Sequence, residues 1–256
     1  MGLLDFPAPL FQVIDESLEF LPDLLRLSLW ALVAGALSML LYALISPQKR
    51  ISLVKAELQA ARAEMAKADE DFGELMDLVK KNLGLSFRHL GLVFAPALVS
   101  ALPLLCIIAW SSTRFGYGFP DPGEQVAVST YPPEAAAALN WRAAGAATPR
   151  SDDSGWQVTW PGEGQTLSLA DGKQRLVTLP LPAPIPQVHK KLWWNSLLGN
   201  PAGYLPDEAP VELVTIELSA RRHLPFGPGW LGNWLTVFLV VSVVGALGTK
   251  SLFKIH

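Results

Sequence analysis

The chain has 256 residues, of which half are hydrophobic and 17% are charged, and this is apolar for a soluble protein of that length. A formal net charge of −3 at pH 7, with no basic tract, argues against nucleic acid as a partner. The single cysteine, Cys106, excludes an intramolecular disulfide. The apolar excess therefore predicts that part of the chain lies in a lipid bilayer.

Three apolar runs predict three transmembrane helices, because about 20 apolar residues at a rise of about 1.5 Å each cross the hydrocarbon of a bilayer. No charged residue interrupts Leu27 to Ile45 or Leu90 to Trp110. The segment before the first run is acidic and has no basic n-region, so we expect that run to be retained and not cleaved as a signal peptide. The predicted spans are 24–46, 90–110 and 230–249.

The basic residues near the spans predict the orientation. Lys49 and Arg50 follow the first span, Lys80 and Lys81 precede the second, and Lys250 follows the third. We expect an integral membrane protein of a bacterial inner membrane, and the positive-inside rule predicts that its N-terminus lies outside and its C-terminus in the cytoplasm. The other predicted segments are an extracytoplasmic N-terminal segment, 1–23, a cytoplasmic hairpin, 47–89, an extracytoplasmic domain, 111–229, and a cytoplasmic tail, 250–256.

The segment between the first two spans is charged but carries an apolar repeat. Its 3,4 spacing over nearly four heptads is typical of a coiled-coil seam. The chain must return to the membrane, so we expect a reversal within Ala68 to Gly73, where glycine can adopt a positive φ. The arms of this hairpin would pack on each other or on another protein; the alternative is a solvated linker helix without a partner. The seam is Ile51, Val54, Leu58, Ala61, Met65, Ala68, Phe72, Leu75 and Val79.

The segment 111–229 predicts a small, mainly β domain. Five stretches alternate apolar and polar residues or are rich in β-branched residues, and Gly, Pro and Asp clusters separate them: "QVAVST", "WQVTW", "TLSLA", "RLVTLPL" and "VELVTIEL". The alanine-rich "PPEAAAALNWRAAGAA" predicts a helix and a loose connection. Before the last strand, Trp193 and Trp194 follow Lys190 and Lys191, which suits either a membrane-interface anchor or a domain core with a basic rim.

Motifs for catalysis, metals or cofactors are missing from the sequence. The histidines are scattered without HxxxH or HxH spacing, and there is no GxSxG, no P-loop, no GxGxxG after a strand and no cysteine pair. We therefore expect no enzymatic activity, no cofactor and no metal site. The four histidines are His89, His189, His223 and His256.

The order of these elements resembles a known family. "SPQKRISLVKAELQAARAEM" leaves the first span, and "GELMDLVKKNLGLSFRHLGLVFAPALVSALPLLCIIAW" leads into the second. An amphipathic helix ending in lysines, a short loop and an apolar span containing Pro96 and Pro103 are similar to the YidC/Oxa/Alb insertase superfamily. The closer resemblance is to its three-span branch, which includes the insertase subunit of the endoplasmic-reticulum membrane complex and archaeal relatives.

This resemblance implies a partly hydrated groove that binds apolar client helices without covalent chemistry. Many members carry a basic residue in the first span that attracts an acidic client terminus, and Arg26 is the candidate here. Alternatively, Arg26 extends to the lipid headgroups. The hydroxyl residues of the groove could instead be packing residues bonded to their own helices. The candidate groove residues are Arg26, Ser28, Ser38, Ser100, Asn233 and Thr236, with Ser242 beside them.

Two functions remain open from the sequence. The first is a membrane protein insertase or intramembrane chaperone, whose partners are client transmembrane segments, and the element order favours it. The second is a structural or accessory subunit that docks one fixed partner of a membrane complex through the hairpin and the outer β domain. The long segment 111–229 favours this second function, since the family has a short link there. A hydrated cleft between the spans would indicate an insertase, and tightly packed helices a subunit.

Overall fold

The computed structural model of the protein describes residues 2–66, 72–143, 150–152, 155–172 and 174–254. The chain divides into two compact units. Unit 1 comprises Met1–Leu27 and Cys106–Phe238, and unit 2 comprises Ser28–Leu105 and Leu239–His256. Within the described ranges the α-helices are α1 (Ala8–Glu16), α2 (Asp23–Ile45), α3 (Gln48–Met65), α4 (Phe72–Phe115) and α5 (Trp234–Phe253).

Three of these helices, α2, α4 and α5, are long and apolar enough to cross a membrane, which confirms the three candidate spans predicted from the sequence. Most of their apolar side chains are exposed within the chain, as on α5 at Val240, Val243 and Val244. A helix with apolar residues around most of its circumference is typical of a membrane span. The structure thus supplies three helices suited to a bilayer.

The helix α4 is longer than the sequence pattern suggested. The resemblance implied a short loop between the hairpin arm and the second span, but residues 82–89 are helical and α4 continues to Phe115. Gly84 is the only helix-disfavouring glycine in that stretch, and a single glycine costs only about 1 kcal/mol relative to alanine. Pro96 and Pro103 lie inside the helix, as prolines do in apolar spans where neighbouring groups satisfy the freed carbonyls.

In unit 2 the helices α2 and α5 approach each other closely. A Cβ atom added to Gly35 would lie 2.0 Å from the carbonyl oxygen of Ser242, and one added to Gly245 would lie 2.7 Å from that of Leu32. Small residues let helix backbones approach in this way, and van der Waals contact then stabilises the pair. Two glycines on different helices therefore define a close helix–helix contact.

In its described residues unit 1 contains two small antiparallel sheets between the second and third candidate spans, where the sequence predicted a small, mainly β domain. One sheet has five strands in the order β3-β4-β1-β8-β7, and the other has three in the order β2-β5-β6. All five predicted stretches form strands. The strands are β1 (Gln125–Tyr131), β2 (Leu139–Ala143), β3 (Arg150–Asp152), β4 (Gly155–Thr159), β5 (Leu167–Asp171), β6 (Gln174–Leu179), β7 (Gln187–His189) and β8 (Leu213–Ile216).

The two sheets share one apolar core. Alternate residues of β1, including Val126 and Val128, are buried, as expected for a strand with one face on the core. Leu169 of the smaller sheet belongs to the same buried cluster. Trp141 of β2 meets Trp156 of β4 edge to face, with ring centroids 6.0 Å apart. The β domain is therefore held together by side-chain packing between its sheets.

The alanine-rich segment differs in part from its prediction. Pro133–Ala138 forms a short 3₁₀ helix, but Leu139–Ala143 is a strand that pairs antiparallel with β5. Leu139 and Trp141 alternate with the polar Asn140 and Arg142, and this period of two outweighs the helix propensity of the flanking alanines. The rest of the predicted connection, 144–147, lies outside the described residues.

Candidate functional sites

Arg26 lies in the first turn of α2 and is buried, with 6% of its surface exposed. Its Nη1 is 3.1 Å from Oδ2 of Asp15, its Nη2 donates to Asp23, and the guanidinium lies 5.7 Å from the centroid of the Phe115 ring. A guanidinium over an aromatic face gains cation–π attraction. In this arrangement the Arg26 charge is neutralised by carboxylates of the same chain.

Arg26 belongs to a larger set of ion pairs in unit 1. Asp15 is 1% exposed and also accepts a hydrogen bond from Nε of Arg114 at 2.9 Å. Arg114 reaches Glu19 at 3.0 Å, and Arg221 reaches Asp23 at 3.2 Å. We call Asp15, Glu19, Asp23, Arg26, Arg114 and Arg221 the charge cluster; it holds three cations and three anions.

The charge cluster joins segments that are far apart in the sequence. Asp15 comes from α1, Asp23 and Arg26 from α2, Arg114 from the end of α4, and Arg221 from the chain after β8. A buried charge is tolerated when opposite charges and hydrogen bonds surround it, and removal of one partner leaves the others uncompensated. The cluster therefore fixes the N-terminal helix in unit 1.

The other candidate groove residues bond mostly to helix backbone. In unit 2, Ser38 Oγ donates to the carbonyl oxygen of Ser100 at 2.6 Å, and Ser100 Oγ donates to that of Ala97 at 2.9 Å. Ser28, in the same unit, is half-buried. Ser242 Oγ donates to the carbonyl oxygen of Leu239 at 2.9 Å. The Ser38 hydroxyl thus joins α2 to α4, and the Ser100 hydroxyl is bonded within its own helix, as for packing residues.

The two groove candidates at the start of α5 belong to unit 1. Asn233 Oδ1 accepts a hydrogen bond from the backbone N–H of Leu235 at 2.9 Å, and Thr236 Oγ1 donates to the carbonyl oxygen of Trp230 at 2.8 Å. An asparagine just before a helix satisfies one of the free N–H groups of the first turn. Both side chains therefore help begin α5.

The arms α3 and α4 run antiparallel in unit 2. Lys81 Nζ is 2.9 Å from Glu64 Oε2, and Arg88 Nη1 is 3.9 Å from Glu57 Oε2. Glu57 lies seven residues before Glu64 in α3, and Arg88 lies seven residues after Lys81 in α4. The two ion pairs are therefore one heptad apart, as expected for antiparallel helices. These pairs are exposed, so each contributes little to stability, but together they define the register.

The seam residues are mostly buried along α3, and on α4 only one of them has a described side chain. Met65 is half-buried, whereas Val79 is 39% exposed. Ala68 and most of the predicted reversal lie outside the described residues, as do the side chains of Phe72 and Leu75. The apolar stripe of α3 is thus packed inside unit 2. Its buried members are Ile51, Val54, Leu58 and Ala61.

Unit 1 also contains a largely apolar cavity of about 730 Å³ beside β7 and β8. Its wall includes His189, Lys190, Tyr131 and Glu212, together with Thr113 near the end of α4. Nδ1 of His189 lies 2.8 Å from the carbonyl oxygen of Lys190, which orients the imidazole ring in this wall. Cavities of this size accept small molecules or single lipid chains.

The charge cluster was missed in the sequence analysis except for Arg26. Asp15, Glu19 and Asp23 recur every four residues before the first span, but α1 ends at Glu16, so these acids do not share one helix. Arg114 and Arg221 lie in the segment 111–229, which the positive-inside rule predicts to be extracytoplasmic and poor in basic residues. These features mark acids and arginines that need partners, but neither feature indicates which residues contact each other. Among the described residues, no group of His, Cys, Asp and Glu side chains could hold a metal ion.

Comparisons with protein-family models, curated proteins and solved structures find no match to this chain. The resemblance to the insertase superfamily therefore rests on the order of the elements and stays a prediction.

Proposed function

We propose that the protein is an integral membrane protein without enzymatic activity that acts as a structural or accessory subunit of a membrane complex. Its three spans anchor it in a bacterial inner membrane, with the arms of α3 and α4 on the cytoplasmic side and the β domain outside. The basic Lys49, Arg50, Lys80 and Lys81 beside the arms support that orientation. The outer domain and the arms each offer a surface for another protein.

The close packing in unit 2 is the observation that carries this proposal. Gly35 and Gly245 allow α2 and α5 to approach closely, and the Ser38 hydroxyl donates its hydrogen bond to the α4 backbone at Ser100. A hydrated cleft for client helices needs polar groups that point into open space. Groups bonded to neighbouring helices are instead typical of spans that serve as a fixed anchor.

The arms are suited to dock a partner. Ion pairs between their charged residues define the antiparallel register. Apolar side chains outside the seam are exposed, such as Leu53, Leu83 and Phe87. Leu83 and Phe87 are four residues apart and share one face of α4. Exposed apolar residues on a charged hairpin are typical of a protein-binding surface.

The docking role predicts that the hairpin is needed to retain the partner. Leu58→Asp places a charge at a position that is 6% exposed, and an unpaired buried charge costs several kcal/mol. We expect the variant to lose protease protection of the arms and to lose the co-purifying protein. Proteolysis and affinity purification from native membranes are the measurements.

The matched control for this prediction is Gln59→Asp, one residue along α3 on its exposed side. It should retain both protease protection and the partner. Loss of the partner in both variants, or in neither, would contradict docking through a hairpin held by this seam.

An insertase or intramembrane chaperone is the second candidate. The order of α2, the two charged arms, α4 and then α5 favours it, since this order is the basis of the resemblance. In that case the bound proteins would be many client segments with apolar helices and not one stoichiometric partner.

A further inference from the structure

The helix α1 has an apolar face that the rest of unit 1 leaves exposed. Leu10, Val13 and Ile14 are exposed, with Val13 at 66%, and they lie on one side of the helix. The opposite side carries Phe11 and Asp15, which contact the chain. The exposed part of α1 thus includes an apolar stripe as well as polar residues, whereas the exposed side of a surface helix is usually polar throughout.

The loop at residues 192–198 has the same character. The side chain of Trp193 is 84% exposed, and Leu192, Leu197 and Leu198 are exposed as well. Trp194 behaves differently, because its ring packs 5.0 Å from that of His189. The tryptophan pair is thus divided, with Trp194 on the β domain and Trp193 facing outward.

These two segments are joined to each other. The backbone N–H of Leu4 donates to the carbonyl oxygen of Leu197 at 3.0 Å, and that of Gly199 donates to Asp5 Oδ2 at 2.8 Å. The side chain of Phe6, close to this junction, is 84% exposed. The N-terminal segment and the tryptophan loop are therefore held side by side in unit 1.

The helix α1 lies next to the ends of two candidate spans. Phe11 meets Trp110 of α4 edge to face, with ring centroids 5.8 Å apart, and Asp15 bonds to Arg26 and Arg114 at the start of α2 and the end of α4. Six residues connect α1 to α2, so the end of α1 lies at most about 25 Å from the start of α2. A surface at the end of a span lies at the depth of the lipid headgroups.

We propose that the exposed apolar face of α1 and the tryptophan loop form an anchor in the headgroup region of the leaflet on the β-domain side. This inference rests on the spanning role of the helices in the proposed function. Tryptophan and lysine are enriched at that depth, where an apolar ring contacts the acyl chains and a basic group contacts phosphate. Trp193 and the exposed Lys191 provide this pair.

The anchor is tested by fluorescence quenching in vesicles of phosphatidylcholine and phosphatidylglycerol. Single cysteines at Val13, Trp193, Glu163 and Leu247, each in a Cys106→Ala background, are labelled with an environment-sensitive dye. The labels at positions 13 and 193 should be quenched severalfold more by a nitroxide near the headgroups than by a water-soluble quencher. Glu163, exposed in the β4–β5 connection, should show the reverse.

The label at Leu247, exposed on α5, separates the anchor from the proposed spans. Deep nitroxide lipids should quench it if α5 crosses the bilayer. Quenching at position 247 together with water-accessible labels at 13 and 193 would overturn the anchor alone and would indicate a protein partner for that surface. Water-accessible labels at all four positions would overturn both the anchor and the membrane-spanning role.

Discussion

Asp15→Ala should lower the free energy of unfolding by about 3 kcal/mol or more, because it removes the buried carboxylate that pairs with Arg26 and Arg114. Arg26 would then remain buried with only the half-exposed Asp23 as its partner, and its Nε already has no hydrogen-bond partner among the described residues. Denaturation of the purified protein in detergent measures the change.

Two controls separate this result from a general effect of losing a carboxylate. Glu19→Ala removes an exposed partner of Arg114 and should cost less than about 1 kcal/mol. The double variant Asp15→Leu with Arg26→Met removes the whole buried pair and should recover much of the lost stability. Equal destabilisation by Asp15→Ala and Glu19→Ala would contradict a buried charge cluster.

Gly35→Ala and Gly245→Ala should each destabilise the protein by about 1–3 kcal/mol, the usual cost of overpacking. The new methyl group at Gly35 would lie 2.0 Å from the Ser242 oxygen, and the one at Gly245 would lie 2.7 Å from the Leu32 oxygen. Both oxygens belong to helix backbone, so α2 and α5 would have to separate. Unfolding in mixed detergent micelles measures the loss.

Gly248→Ala is the matched control, one turn further along α5. Nothing lies within 4 Å of its added Cβ, so this variant should be neutral or more stable by up to about 1 kcal/mol, through helix propensity alone. Equal effects of all three substitutions would contradict a close contact between α2 and α5. They would also remove the main support for the proposed subunit role, which rests on the close packing of these helices.

The sequence predicts the elements that depend on local pattern. The apolar runs predict α2, α4 and α5, and alternation predicts the five main strands, because burial on one face sets a period of two. The alanine-rich segment shows the limit of local pattern. There Trp141 and its neighbours pair with β5, and this tertiary contact overrides the helix propensity of alanine.

The charge cluster could not be predicted from local pattern, because its members are far apart in the chain. Arg26 is 11 residues from Asp15, Arg114 is 99 residues from Asp15, and Arg221 is 198 residues from Asp23. From the sequence alone, Arg26 is expected either in a client-binding groove or at the lipid headgroups. Its placement depends on α1 packing against the ends of two candidate spans, and no spacing within α2 indicates that contact.

The division of the tryptophan pair likewise needed the structure. Adjacent tryptophans beside lysines suited an interface anchor and a domain core equally, and the two side chains have different surroundings. Trp194 packs on His189, whereas Trp193 is exposed. Loop conformation decides which of two identical side chains packs against the β domain, and loop conformation carries little periodic signal.

Crosslinking from the arms in native membranes tests the central claim, that this protein docks one fixed partner. A photoreactive residue at Leu53, which is exposed on α3, should give one stoichiometric product, and the product should disappear when Leu58→Asp is added. A series of many weak products from unrelated membrane proteins would contradict the subunit role and favour the insertase.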